Sequence, residues 1–297
     1  MGSFAFRCLS ILLLVGIGFL RAQPPDDFKK ARAFYDRGSL GEAKASFLLA
    51  AQEDPQNAEA QYFLGIIALK DRDPASGAKY LEKAVELKPG TSEYLRRLGD
   101  AYADLTSKVN MFAALGVAEK TKHAYEGAVA ADPTSLRAQW SLMEFCRIAP
   151  GIAGGDIARA YALADGIRVL EPKAGRWARA MVLLSDGNAE QAFALYDGAL
   201  KADPADYAAL FQLGDLSQQS RLHPDLGLEA LQRCLKLQPV RFHPWFDNDD
   251  HARVYFEMGE IEAARGDTPA ARTDYQAALA LDKAFSEPRA ALAKLGG

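Results

Sequence analysis

The stretch AEAQYFLGIIALKDRDPASGAKYLEKAVELKP, Ala58 to Pro89, decides the fold. It reads as two short amphipathic helices folded back on each other, with Leu64 and Gly65 in the first and Leu81 and Ala84 in the second. Pro89 closes the unit, because proline has no amide hydrogen to donate and restricts the residue before it. The punctuation recurs at Pro55, Pro89, Pro133, Pro172, Pro204 and Pro239, then at Lys283 in an equivalent slot after Asp282. Gaps between these closing positions are 34, 44, 39, 32, 35 and 44 residues. The second helix of three units carries a small–large–small stripe: Ala43-Phe47-Ala50, Ala192-Tyr196-Ala199 and Ala271-Tyr275-Ala278. Spacing of i, i+4, i+7 puts each stripe on one helical face, where alternating sizes let neighbouring helices interlock. Gly38, Gly187 and Gly266 mark the turns before these helices. The acid before the proline (Asp54, Asp132, Glu171, Asp203) has no evident electrostatic role, since its charge does nothing for the negative end of a helix dipole.

Leu-Gly in a first helix, small then aromatic residues in a second, and a terminal proline resemble the tetratricopeptide repeat. The resemblance implies an all-α fold, a right-handed α-solenoid of about seven helix pairs with a C-terminal capping helix. Its register places repeats at 24–57, 58–91, 92–135, 136–172, 173–206, 207–239 and 252–283, and the cap at 285–295. Residues 23–297 then form one continuous unit, preceded by a leader over 1–22.

The leader is read from charge and hydropathy. Arg7 supplies a thin positive start, Cys8 to Leu20 is nearly all apolar, and Ala22 precedes Gln23-Pro24-Pro25 as a small residue at a cleavage site. The apolar run falls short of the ~20 residues that span a bilayer, so export to a periplasm or secretory space is expected, with an uncleaved N-terminal membrane anchor as the alternative. Cys8 precedes the apolar run, which argues against a lipid-anchored cysteine. Formal net charge is −4, and loss of a leader whose only charges are Arg7 and Arg21 takes it to −6. No basic run or stripe appears, which argues against nucleic acid as a partner. Cys146 and Cys234 fall in repeats four and six, too far apart for a disulfide in a solenoid whose repeats touch only neighbours. Both read as small core residues, Cys234 standing where Ala84 and Ala199 stand elsewhere.

Three departures from the repeat carry the functional questions. Repeat three has ten extra residues around Leu105 to Leu115, while Met111, Leu115, Ala118, Tyr125 and Val129 keep helical spacing. Longer helices projecting beyond their neighbours are expected, with Phe112 and Leu115 as an apolar knob and homo-oligomerisation as one consequence. Repeat four inserts Ala149-Pro150-Gly151-Ile152-Ala153-Gly154-Gly155. A phosphate loop needs Gly-Lys-Ser/Thr, whereas Asp156-Ile157 follows here, so a structural turn with Asp156 as helix N-cap is expected. The run Phe145 to Gly155 also resembles exported tetratricopeptide proteins of uncharacterised type, which implies no activity. Between Pro239 and Ala252 lies VRFHPWFDNDDH. His243, Asp247, Asp249 and His251 are reasonable divalent-ion ligands, but the stretch lacks the glycine and spacing of a calcium loop. The simpler reading is an N-cap and dipole partner for the next helix, with Trp245 and Phe246 plugging into repeat six or seven.

No catalytic constellation emerges: the four histidines are scattered, Ser217 and Ser220 stand in no nucleophile elbow, and no carboxylate pair lies in an evidently apolar setting. The chain is therefore expected to be a non-catalytic scaffold without cofactor that binds a protein or peptide. The alternative is a metal- or small-ligand-binding protein, including an enzyme, using the 243–251 linker. What the family resemblance implies about the site is a concave groove lined by positions two, five, nine and twelve of each first helix. Those positions hold Glu59, Tyr62 and Ile66; Arg96 and Asp100; Arg137, Trp140, Glu144 and Arg147; Trp177 and Met181; Phe211 and Asp215. Aromatic and arginine side chains are those that dominate binding hot spots. The Lys/Asn set by which clamp-type members grip a terminal carboxylate is not matched.

Overall fold

The computed structural model describes residues 26–240 and 250–296, and among these there are fifteen α-helices and no strand. The first three pairs are α1 (Asp26–Asp36) with α2 (Leu40–Glu53), α3 (Ala58–Lys70) with α4 (Pro74–Leu87), and α5 (Ser92–Thr106) with α6 (Met111–Ala131). Next come α7 (Leu136–Ile148) with α8 (Ile157–Leu170), and α9 (Pro172–Ser185) with α10 (Ala189–Ala202). The last pairs are α11 (Tyr207–Ser220) with α12 (Pro224–Cys234), and α13 (His251–Ala264) with α14 (Thr268–Leu281), followed by α15 (Ser286–Leu295). Each helix packs on the one before and the one after it, so the core runs along the stack as a chain of clusters.

The small–large–small stripes are the interior of this stack: Ala43, Phe47, Ala50, Ala192, Tyr196, Ala271 and Ala278 are fully enclosed and Tyr275 nearly so. Phe47 stacks on Phe63 of the next pair with ring centroids 5.0 Å apart. The large residue of a second helix often lies against glycine of its own first helix. A Cβ on Gly99 would sit 2.4 Å from the Tyr125 ring, and one on Gly259 2.6 Å from the Tyr275 ring. Glycine is required there because the helices approach to within a side chain's width. Cys146 and Cys234 are buried free thiols, and burial pushes the Cys234 thiol up to about 12.

Repeat ends reveal what the acid before the proline does. Asp54, Asp132, Asp203 and Asp282 each accept the backbone N–H two residues on, at 3.0, 2.9, 3.0 and 2.8 Å. Each backbone carbonyl also accepts the N–H three residues on. The carboxylate therefore builds an Asx turn that reverses the chain into the next pair; its role is geometric, not electrostatic. Pro172 departs from the closing-position reading. It opens α9, and Glu171 alone separates α8 from α9. The Glu171 N–H donates to Ile167 while its carboxylate accepts from the Ala174 N–H, so one residue caps both helices. Proline is tolerated there because a first-turn N–H has no helical partner anyway.

The extra residues of repeat three go mostly into one helix. α6 has 21 residues against 15 in α5, so the projection is the N-terminal part of α6 and not a lengthened pair. Asn110 starts it by accepting the Ala113 N–H at 3.0 Å. The Gly-rich insertion forms a single 3-10 turn, Gly151–Ala153, and Asp156 caps α8 by accepting the Arg159 N–H. A Cβ on Gly155 would lie 1.8 Å from the Ala149 carbonyl oxygen, so this glycine serves chain packing. Phe285 anchors α15, buried with its ring centroid 5.4 Å from that of Phe256.

Candidate functional site: the inner helix layer

The first helices of successive pairs touch in sequence, α3 on α5, α5 on α7, α7 on α9, α9 on α11 and α11 on α13. The second helices form no such layer among the described residues. Helices that meet their counterparts lie on the tighter radius, so the first-helix layer is the concave side of the stack.

Of the groove residues expected from the sequence, Glu59 is exposed and Asp215 buried, and the others fall into two groups. Arg96, Trp177, Met181 and Phe211 are buried, and so is Ile66. Tyr62, Asp100, Arg137, Trp140, Glu144 and Arg147 are half-buried, in a run from α3 through α5 to α7. The aromatic positions serve contacts between pairs: Tyr62 stacks on Tyr94 at 4.8 Å and donates to Glu93 at 3.2 Å, and Trp140 meets Trp177 at 5.0 Å. Arg96 is held by Glu93 at 2.8 Å and Asp100 at 2.9 Å. Burial opposes its charge, and the two carboxylates overcome that and raise its pKa. Asp100 also accepts the Tyr125 hydroxyl at 3.0 Å, which ties α5 to α6. Arg147 pairs with Glu144 at 2.7 Å and reaches Ser185 of α9 at 2.9 Å.

One polar cluster escaped the sequence reading. Asp215 and Glu257 are both buried, on the adjacent first helices α11 and α13. Desolvation raises the pKa of Asp215. Desolvation first, then the neighbouring Asp215 carboxylate, pushes Glu257 up to about 7 against the pull of Arg253, 2.8 Å away. Register explains the cluster. In pairs three and seven the acid after glycine accepts a tyrosine hydroxyl from the second helix, Tyr125 to Asp100 and Tyr275 to Glu260 at 2.6 Å. Pair six has Leu231 in the tyrosine position, so Asp215 accepts from Gln219 at 2.9 Å instead. Pair five has the reverse mismatch: in the repeat register Ala180-Met181 stand where glycine and the acid stand elsewhere, and the buried Tyr196 hydroxyl has no hydrogen-bond partner among the described residues. Comparing the residue after glycine with the paired second-helix residue would have exposed this from sequence.

A cavity of about 410 Å³ lies where pairs three and four meet, lined by Ala103, Ala118, Tyr125, Trp140, Phe145 and Pro150 among others. Small side chains on both pairs leave the space, among them Ala103 and Ala118 of pair three and Ala149 and Ala153 of pair four, the last from the 3-10 turn after α7. Two expected groove residues, Trp140 and Glu144, form part of its wall. Beside it Met111, Phe112 and Leu115 of α6 are exposed, Phe112 to 86%.

Of the alternative ion-binding set, His243, Asp247 and Asp249 lie outside the described residues, as do Trp245, Phe246 and the leader 1–22. His251 begins α13 with Nε2 3.0 Å from the Leu237 carbonyl oxygen, and Asp250 is the N-cap, accepting the Arg253 N–H at 3.1 Å. Among the described residues no group of three or more His, Cys, Asp or Glu could hold a metal ion. Ser217 donates its hydroxyl to the Leu222 and His223 carbonyls, a structural tie at the end of α11. No helix among the described residues is long and apolar enough to cross a membrane.

Stacked helix pairs with an inner first-helix layer define a repeat solenoid. The tetratricopeptide repeat family model matches residues 28–92, the first two pairs, and the later pairs continue the arrangement. The first two pairs therefore carry the tetratricopeptide repeat, and the described chain as a whole has the fold of such a solenoid. A tetratricopeptide repeat protein from Parabacteroides merdae ATCC 43184 superposes with a TM-score of 0.61 at 16% identity, over 91% of this chain and 98% of that one. A thermophilic tetratricopeptide repeat protein of Thermus thermophilus gives 0.49 at 22% identity, over 64% of this chain and 96% of its own. No curated protein matches the chain.

Proposed function

We propose that the protein is a non-catalytic scaffold that holds a protein or peptide along its concave first-helix layer, acting after export through the leader at 1–22. The observation that carries this reading is the half-buried run Tyr62, Asp100, Arg137, Trp140, Glu144 and Arg147 on consecutive inner helices. Side chains of this kind are already fixed by neighbours, so a partner meets a preorganised surface and little conformational entropy is lost on binding. Trp140 and Arg147 belong to the residue types that dominate interfaces.

The test is co-purification from the exported fraction with wild-type protein beside an Arg137→Ala, Trp140→Ala, Arg147→Ala variant and a variant of equal number on the outer helices. Circular dichroism confirms folding of each. Proteins retained by wild type and the outer variant but lost by the inner one support the groove; equal retention by all three removes it.

A further inference from the structure

The projecting end of α6 and the cavity beside it form a single apolar face. Ala118, Thr121 and Tyr125 line the cavity; Met111 stands seven residues before Ala118, two helical turns away on the same face, and Leu115 one turn away. Phe112 stands on the flank of that stripe. Met111 is 77% and Phe112 86% exposed; Ile148, which lines the cavity, is 64% exposed, and Ile152, next in the chain to the lining residue Ala153, is 84% exposed. The two segments that build the face, MFAALGVA (111–118) and IAPGIAGG (148–155), contain no charged residue in a chain that is 25% charged. Single exposed apolar side chains are ordinary on a protein surface, but a contiguous patch of this size marks an interaction site.

We propose that this face is the interface of a two-fold homodimer, in which the α6 projection of each copy packs into the inter-repeat cavity of the other. Three features select a second copy of this chain as the occupant. The face carries a protruding part and a receiving cavity side by side, the arrangement that an isologous interface requires: rotation by 180° brings projection to cavity twice. Its five large exposed side chains, at on the order of 200 Å² each when fully accessible, offer roughly 700 Å² per copy, close to the ~800 Å² per partner of a standard interface. Neither segment carries charge with which to select a partner of complementary charge, whereas an apolar, self-complementary face is what homodimers use. The cavity falls within the ~300–1,000 Å³ that accommodates a compact apolar group, enough for an aromatic side chain.

The dimer joins the two copies at pairs three and four, beside the part of the groove that Trp140 and Glu144 line. Sedimentation of the full chain, as wild type and as Phe112→Asp, Leu115→Asp, reads it directly. A wild-type dimer whose dissociation constant rises at least ~30-fold in the variant is expected, matching the loss of a hot spot. Both residues are exposed in the monomer, so the variant's circular dichroism spectrum should match wild type, while its melting temperature loses the concentration dependence of a dimer. A second measurement fixes the geometry: Phe112→Cys chains mixed with Ile148→Cys chains, both in a Cys8→Ser background, should form a mixed disulfide under mild oxidation more readily than either chain alone. A wild type that stays monomeric at about 100 μM, a dimer unaffected by the variant, or the absence of the mixed disulfide would each overturn the proposal. Because Trp140 walls both the cavity and the groove, sedimentation of the Arg137→Ala, Trp140→Ala, Arg147→Ala variant distinguishes a lost partner from a lost dimer.

Discussion

Replacing Gly99 by alanine tests whether the helix pair is set by a glycine under an aromatic ring. The new Cβ would lie 2.4, 2.5 and 3.1 Å from Cε1, Cδ1 and Cγ of Tyr125. Ordinary contact would need the ring to retreat by about 1 Å, since carbon atoms pack at ~3.5–4.0 Å. Retreat is opposed at the far end, where the Tyr125 hydroxyl donates to Asp100 at 3.0 Å. Overpacking costs about 1–3 kcal/mol, and stretching a hydrogen bond to a carboxylate adds about 1.5 kcal/mol or more. Alanine returns ~1 kcal/mol of helix propensity. A net destabilisation of about 2 kcal/mol follows, some 4–8 °C in melting temperature at ~2–4 °C per kcal/mol. Gly198→Ala in α10 is the control, because nothing lies within 4 Å of its added Cβ; it should stabilise by about 0.5–1 kcal/mol. Thermal melts of the two variants beside wild type decide the matter. A Gly99→Ala protein as stable as wild type would refute the packing argument, and so would a Gly198→Ala protein destabilised by as much.

Two further outcomes follow from the same structure. Glu257 has its pKa raised from 4.5 to about 7; a carboxyl group whose folded pKa exceeds the unfolded one stabilises fully below about pH 4.5 and loses that contribution as pH rises through 7. Melting temperature measured between pH 5 and 8 should therefore fall with rising pH, and Glu257→Gln should flatten the slope; a slope unchanged in the variant would assign it elsewhere. Arg72 holds φ +60° at the turn where Gly187 and Gly266 stand in other pairs, so Arg72→Gly should raise stability by about 1 kcal/mol, the cost of a left-handed residue with a side chain. An unchanged or lowered midpoint in urea would show that the arginine compensates its own strain.

What the sequence determined by itself is the periodic part of the molecule. Stripes such as Ala192-Tyr196-Ala199, turn glycines and closing prolines are local signals, each acting through the backbone or one helical face, so they announce helix pairs wherever they occur. The lengthened α6, the Asp156 cap and the burial of the two cysteines follow from the same local rules. Tertiary structure decided everything that depends on which pair a residue meets. Glu171 looks like the other pre-proline acids, yet the missing loop between α8 and α9 turns it into a cap for both. Arg96, Trp177, Met181 and Phe211 occupy groove positions in the repeat register, but contact between successive first helices buries them, while Tyr62, Trp140 and Arg147 stay reachable. Asp215 and Glu257 lie 42 residues apart in the chain and become a buried carboxyl pair only because α11 packs on α13. The cavity beside Tyr125 and Trp140 likewise belongs to no segment. It exists because small residues on two pairs face one another across a junction, and volume left between elements has no local signature.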